Sequence, residues 1–201
     1  MRKISIYTFL LAALLSFQTG CDQNFDEINT SKTSATAIDP VFLLNNAVFN
    51  LSFPGSTLVY EIGIVQQIIS PNSGVLTGAN YNQDNRESTD DLWQAYYRNV
   101  IRNTRIIIDQ TQDDPERSNL YHMARILQAY GFMVLTDTYG EIPYEEGGSG
   151  YLTQVFFPKY DRQEDIYPKI IAELESAAQG LDANSKTEAG DILYGGDVDQ
   201  W

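Results

Sequence analysis

Asp90-Asp91, Asp113-Asp114 and Glu145-Glu146 are paired acids in a chain that contains one histidine and one cysteine. Two carboxyl groups facing each other at a set separation can hydrolyse a glycoside. The first two pairs fall at expected helix starts, where acids favour the positive end of the helix dipole. Nothing in their spacing sets them face to face. His122 lies between Tyr121 and Met123 in an expected helix, where a lone histidine is a surface or packing residue. Without a second ligand set there is no zinc site, and no Cys-His pair is available for nucleophilic attack. Gly147-Gly148-Ser149-Gly150 lacks the Lys and Ser/Thr of a phosphate loop and reads as flexible. Asp197-x-Asp199 is too short for an EF-hand loop. No catalytic residue, metal or cofactor is therefore expected, and the chain does not read as an enzyme.

Binding is the better expectation. Sugar rings present apolar faces and many hydroxyls, so their sites combine aromatic platforms with Asn, Asp and Arg side chains. Residues 70–87 read as a loop rich in Gly, Asn, Asp and Ser, with Tyr81 its one aromatic. Asn80, Tyr81, Asn82, Asp84 and Arg86 are its candidate ligand-binding residues, Tyr81 serving otherwise as a loop anchor. Trp93, Tyr96 and Tyr97 lie at helical spacing and are read as core.

The amino terminus has the parts of an export signal. Arg2 and Lys3 precede an apolar run from Ile4 to Phe17, too short to span a bilayer, and Gln18-Thr19-Gly20-Cys21 follow. The arrangement resembles a bacterial lipobox, with Gln18 where an aliphatic residue is usual. That implies cleavage before Cys21 and acylation of its thiol and new amino group. The alternative is an ordinary secretory signal and a free thiol. Removing residues 1–20 takes away Arg2 and Lys3 and no acid, so the net charge of −14 becomes −16. Such a surface disfavours nucleic acid and anionic lipid, because phosphate binding needs clustered Lys and Arg. The expected division is a signal over 1–20, a polar tether over 21–39 and a helical domain over 40–201.

The remaining pattern is helical. Asp39-Pro40 opens a helix with the stripe Phe42, Leu43, Ala47, Val48 and Leu51. Ser56 is expected to cap a second through Leu58, Ile62, Val65, Ile68 and Ile69, stopped by Pro71. Ser88-Thr89-Asp90-Asp91 resembles a capping box ahead of a long helix carrying Leu92, Trp93, Tyr96, Val100, Ile101, Ile107 and Ile108. Tyr121, Ala124, Leu127, Phe132 and Leu135 mark a fourth, apolar nearly all round in its second half and so central. The last long helix carries Ile166, Ile170, Ile171, Leu174, Ala178 and Leu181, with Pro168 in its first turn or at a kink. Gly195-Gly196-Asp197 looks like the start of a further helix. No strand alternation of any length is present, so the class is all-α: antiparallel helix pairs with long loops and little strand.

Four segments resemble one family. They are Trp93-x-x-x-Tyr97 with Asn103 downstream, residues 124–130 (ARILQAY), residues 137–144 (DTYGEIPY) and residues 164–174 (EDIYPKIIAEL). Their order and spacing resemble the SusD/RagB outer-membrane lipoproteins, the Tyr-Gly-Glu-Ile-Pro turn after a helix being the most specific piece. The resemblance implies helix pairs like tetratricopeptide repeats. It implies a lipid-anchored, cell-surface lid on a TonB-dependent, SusC-like porter in Bacteroidetes-like bacteria, which captures oligosaccharides or, in some members, peptides. The aromatic pair used by starch-binding members is absent. Members are generally more than twice this length, so the chain reads as an amino-terminal portion whose apolar face later helices would cover. The alternative is a helical-repeat envelope scaffold, or a peptide-binding lipoprotein, without a glycan ligand. If Cys21 is the acylated first residue, Cys21→Ser will release the protein from membranes. An unmodified Cys21 thiol in the intact mass of the wild-type chain would exclude the anchor.

Overall fold

A helix that is apolar on every side has to be surrounded, and the chain is arranged around one. A computed structural model describes residues 38–67 and 86–201. The signal, Cys21, nearly all of the tether, and Asn80, Tyr81, Asn82 and Asp84 lie outside the described residues. The order is α1 (Pro40–Phe49), α2 (Gly55–Ile64), α3 (Arg86–Ala95), a π-helical turn (Tyr96–Ile101), α4 (Arg102–Thr111), a 3₁₀ turn (Pro115–Arg117), α5 (Ser118–Tyr139), the short α6 (Gly150–Thr153) and α7 (Gln163–Gly180). Among the described residues there is no strand, only one isolated antiparallel bridge between Ile142 and Asp161. The class is all-α, and Ile38–Trp201 forms one compact unit.

The central helix is α5. It buries Leu120, Met123, Leu127, Phe132 and Leu135, with Ala129 inside as well. It packs against α7 and against α4 with the π-turn, while α1 lies on α4. Close approach explains its small residues. A Cβ on Gly131 would stand 3.0 Å from both Ile101 Cδ1 and Val100 Cγ1. A Cβ on Gly180 would stand 2.1 Å from His122 Cε1, so α7 ends where the α5 histidine occupies the space. Across the same pair of helices Arg125 grips Glu173 with both nitrogens, Nε–Oε1 2.6 Å and Nη2–Oε2 3.0 Å. Buried polar groups on α5 are matched, as they must be. Gln128 Nε2 donates to Thr104 Oγ1 at 3.2 Å, and Asn119 Nδ2 donates to Asp182 O at 2.9 Å.

Several sequence expectations need correction. In α1 the cap is as expected, with Asp39 Oδ1 accepting from Val41 N at 3.0 Å, but Val41, Leu44 and Ala47 are the buried residues and Phe42 is 61% exposed. The reason is polar. Asn103 Nδ2 donates to Asn46 Oδ1 at 2.8 Å and Asn99 Nδ2 to Asn50 Oδ1 at 3.2 Å, and these bonds turn the asparagines of α1 towards α4. Ser56 does not cap α2, which starts at Gly55, and the helix ends at Ile64 with Gln66 in the left-handed region (φ 60°). The proposed capping box lies within α3, which is already helical at Arg86. The long helix beyond it is interrupted by the π-turn, in which Arg102 N reaches back to Tyr97 O. A five-residue step from Tyr96 to Ile101 keeps both side chains inside where a regular helix would rotate one out. In α7, Ala177 replaces Ala178 in the core, Ile171 is exposed, and Pro168 sits in the second turn.

Gly147-Gly148-Ser149-Gly150 is a packed turn, not a flexible link. A Cβ on Gly147 would fall 2.0 Å from Pro143 O, and Gly148 needs φ +73° with Ile101 Cγ2 beneath it. Gly147→Ala will therefore lower the melting temperature markedly. Gly55→Ala, with nothing within 4 Å and a place in the first turn of α2, will be neutral or gain about 0.4–1 kcal/mol. Equal effects of the two in a denaturant titration would contradict the packing. The single histidine gives a second check. Burial, and then the Arg125 guanidinium beside it, hold His122 below the ordinary imidazole value of 6.5. Its ring resonance in a proton NMR titration will have its midpoint below that value. Folding favours the neutral ring, so its contribution to stability is present above pH 6.5 and is lost as pH falls through the lowered value.

Candidate functional site: an aromatic groove

The end of α5 and the turn after it build the site. Tyr139 is the last residue of α5, and Gly140 (φ 78°) reverses the chain where a side chain would be strained. Thr136 Oγ1 donates to Gly140 O at 2.7 Å and closes that turn. The following residues pair with the chain ahead of α7. Asp161 N donates to Ile142 O at 2.8 Å, and Asp161 Oδ2 accepts from the backbone N–H groups of Tyr144 and Glu145, each at 2.9 Å. Arg105 supports the same turn from α4, donating to Tyr144 O at 2.8 Å with its guanidinium 5.6 Å from the centre of the Phe132 ring. Gln163 Nε2 donates to Thr136 O at 2.6 Å and fixes the start of α7 against the end of α5. These bonds set Tyr160 beside Tyr139.

Trp93 of α3 completes the arrangement. Its ring stacks on Tyr160 (6.0 Å, 18°), meets Tyr139 edge-on (5.2 Å, 84°) and leans on Tyr97 (4.7 Å, 45°). Tyr97 is pinned in turn by its hydroxyl, which donates to Pro143 O at 2.9 Å. Tyr139 donates its hydroxyl to Thr89 O, and burial pushes its phenol up to about 12, so it stays a neutral donor at any working pH. The rings border an open cavity of about 810 Å³, which is within the size range of ligand sites. Thr57, Glu61 and Ile64 line it from α2, Thr89 and Asp90 from α3, and Asp137, Thr138 and Glu141 from around the end of α5. Among the described lining residues there is no lysine, arginine or histidine. Stacked faces beside carboxylates and hydroxyls suit a flat, polyhydroxylated ligand.

Of the residues predicted to bind ligand, Arg86 opens α3 with its side chain outside the described residues, and Asn80, Tyr81, Asn82 and Asp84 lie wholly outside them. The sequence reading of Trp93, Tyr96 and Tyr97 as core holds fully for Tyr96, which is completely buried and donates its hydroxyl to Leu51 O at 2.6 Å. Trp93 and Tyr97 are half-buried, and Trp93 is packed against the core on one side while lining the cavity on the other. Tyr139 and Tyr160 carried no local signal of a site beyond being aromatic next to a turn. Asp90 accepts from Gln94 Nε2, and Glu145 pairs with Lys169.

With this geometry in place, residues 31–201 match the SusD-like family, described as starch-binding and associating with the outer membrane. The chain belongs to that family, which is one of binding proteins and not of enzymes. Among solved structures it is similar to a chitin-binding protein, with 31% identity and a TM-score of 0.70 over 81% of this chain and 36% of that one. It is also similar to a SusD-like protein described as Bacteroidetes AC2a, with 29% identity and a TM-score of 0.68 over 82% of this chain and 31% of that one. The chain thus spans about a third of the length of these structures. No curated protein matches it.

Proposed function

We propose that the chain is the glycan-capturing part of a lipid-anchored outer-membrane protein that binds oligosaccharide at the Trp93–Tyr160 groove and passes it to a TonB-dependent, SusC-like porter. The stacked pair carries the reading. Tyr160 is 62% exposed and lies nearly parallel to a tryptophan that is itself held on its other sides, which makes a rigid platform for a pyranose face. A platform fixed before binding spares the ordering cost that a free side chain would bring. Thr138 and the carboxylates around it offer hydrogen-bonding groups that would fix a sugar's orientation. The chitin-binding neighbour and the starch-binding description of the family support the ligand class. Residues 65–88 run between Ile64 and Thr89, both on the groove wall, which supports Asn80, Tyr81, Asn82, Asp84 and Arg86 as further contacts. The export pattern ending at Cys21 supports the anchor and the cell-surface location.

Calorimetric titration of the intact chain with starch- and chitin-derived oligosaccharides tests the reading. At least one series will bind, and Tyr160→Ala will weaken it about tenfold or more, a loss of about 1.4 kcal/mol, while the melting temperature holds. Absence of binding to every oligosaccharide, or full binding by the alanine variant, would overturn it.

A further inference from the structure

We infer that the groove selects oligosaccharides bearing free ammonium groups, such as glucosamine oligomers, over their N-acetylated and anionic counterparts; this rests on the reading of the groove as a glycan site. The observation is where the cations of this acidic chain are placed. Among the described residues, the ion pairs lie away from the cavity: Arg117 with Asp39 and Glu188, Arg125 with Glu173, Arg162 with Glu164, and Lys169 with Glu145. None of those residues lines the groove.

Among the described residues, no ion pair involves the carboxylates that do line it. Among the described residues, Asp90 and Asp137 accept side-chain hydrogen bonds from neutral donors, the Gln94 amide and the Tyr167 hydroxyl. Glu61 has no hydrogen bond or ion pair to its carboxylate among the described residues, and burial raises its pKa with nothing opposing the shift. A partly desolvated carboxylate without a partner is stabilised by a cation brought to it. The aromatic faces act in the same direction, because the negative face of Trp93 or Tyr160 attracts a cation held above it. The acids of the five ion pairs are answered by arginine or lysine, and among the described residues no ion pair involves Glu61, Asp90 or Asp137. An ammonium on a sugar ring would meet both features at once, the ring lying on the platform and the charge among the carboxylates. A uronic acid or a sulfated sugar would meet repulsion from the same groups.

The experiment is a calorimetric comparison, on the intact chain at low salt, of glucosamine and N-acetylglucosamine oligomers of equal length, with a galacturonate oligomer as the anionic arm. The glucosamine oligomer will bind at least tenfold more tightly than its acetylated partner, and the galacturonate oligomer will not bind. Raising the salt to about 0.5 M will shrink the preference, since exposed charges are then screened within a few ångströms. Glu61→Gln will cut the preference at least threefold, by weakening the glucosamine oligomer more than the acetylated one. Glu175→Gln, on the exposed side of α7, will leave both unchanged. Equal affinity for the two oligomers overturns the charge selection while leaving the glycan reading standing. An equal effect of the two glutamine variants overturns it too, by showing diffuse attraction to an acidic surface. Binding of neither oligomer nor of any neutral glycan overturns both.

Discussion

The structure depends on the enclosure of α5. A helix with apolar residues around its whole circumference is stable only when neighbours cover every side, and burial of that surface is the largest favourable term available to a chain of this size. α7 takes one flank, and α4 with the π-turn takes another. Gly131 against the π-turn and Gly180 against His122 leave little or no room for a Cβ, so the approach on both flanks favours glycine. Once that packing is fixed, so is the position of Tyr139 at the end of α5. The groove is thus located by the core, not by a loop that could adopt several positions.

Polar groups decide what apolar burial leaves open. Hydrophobic contact alone would accept α1 at several rotations, since it is uncharged and apolar on more than one side. The Asn46–Asn103 and Asn50–Asn99 pairs favour one, each adding a side-chain hydrogen bond between α1 or its C-cap and the helix beneath. Asp161 has the same role at the site. Its backbone pairs with Ile142 and its carboxylate collects two further N–H groups, so one residue locks two segments that are distant in sequence. Arg105 completes the lock with its bonds to Tyr144 O and Glu145 O. The exposed aromatic Tyr160 gains its fixed place from these neighbours.

The helices, their order and the centrality of α5 were legible because periodicity and the absence of breakers act locally over many residues. The Asp39-Pro40 start was legible for the same reason: a cap is satisfied within a few residues. The buried face of α1 was legible in part: Leu43, Ala47, Val48 and Leu51 lie in or against the core as expected, but Phe42 is exposed, and Val41 and Leu44 are buried instead. The π-turn was invisible because a stripe spaced by threes and fours tolerates one five-residue step without announcing it. Gly147 and Gly148 read as a flexible link because glycine serves close approach as well as freedom, and sequence does not separate the two. The groove was the least legible element. Glu61, Trp93, Tyr139 and Tyr160 come from four elements, and each taken alone looks like an ordinary helix or loop residue. The SusD-like segments located the turn that carries Tyr139, but what the turn positions is known only from the packing around it.

The distribution of charge follows from the same economy of contacts. The chain holds 13 lysines and arginines against 27 aspartates and glutamates, so acids outnumber possible partners. Arg117, Arg125 and Lys169 join segments that are far apart in sequence, and Arg105 is bound to backbone carbonyls in a site whose burial works against its charge. Arg105, Arg117 and Arg125 each hold one element to another and would be costly to withdraw once the partner is desolvated, whereas Lys169–Glu145 is an exposed pair. Four of the acids outside these pairs, Glu61, Asp90, Asp137 and Glu141, line the groove. Arg105, one of the cations that join distant segments, holds the turn behind the aromatic platform, and the polar residues described beside that platform are acidic or hydroxylic.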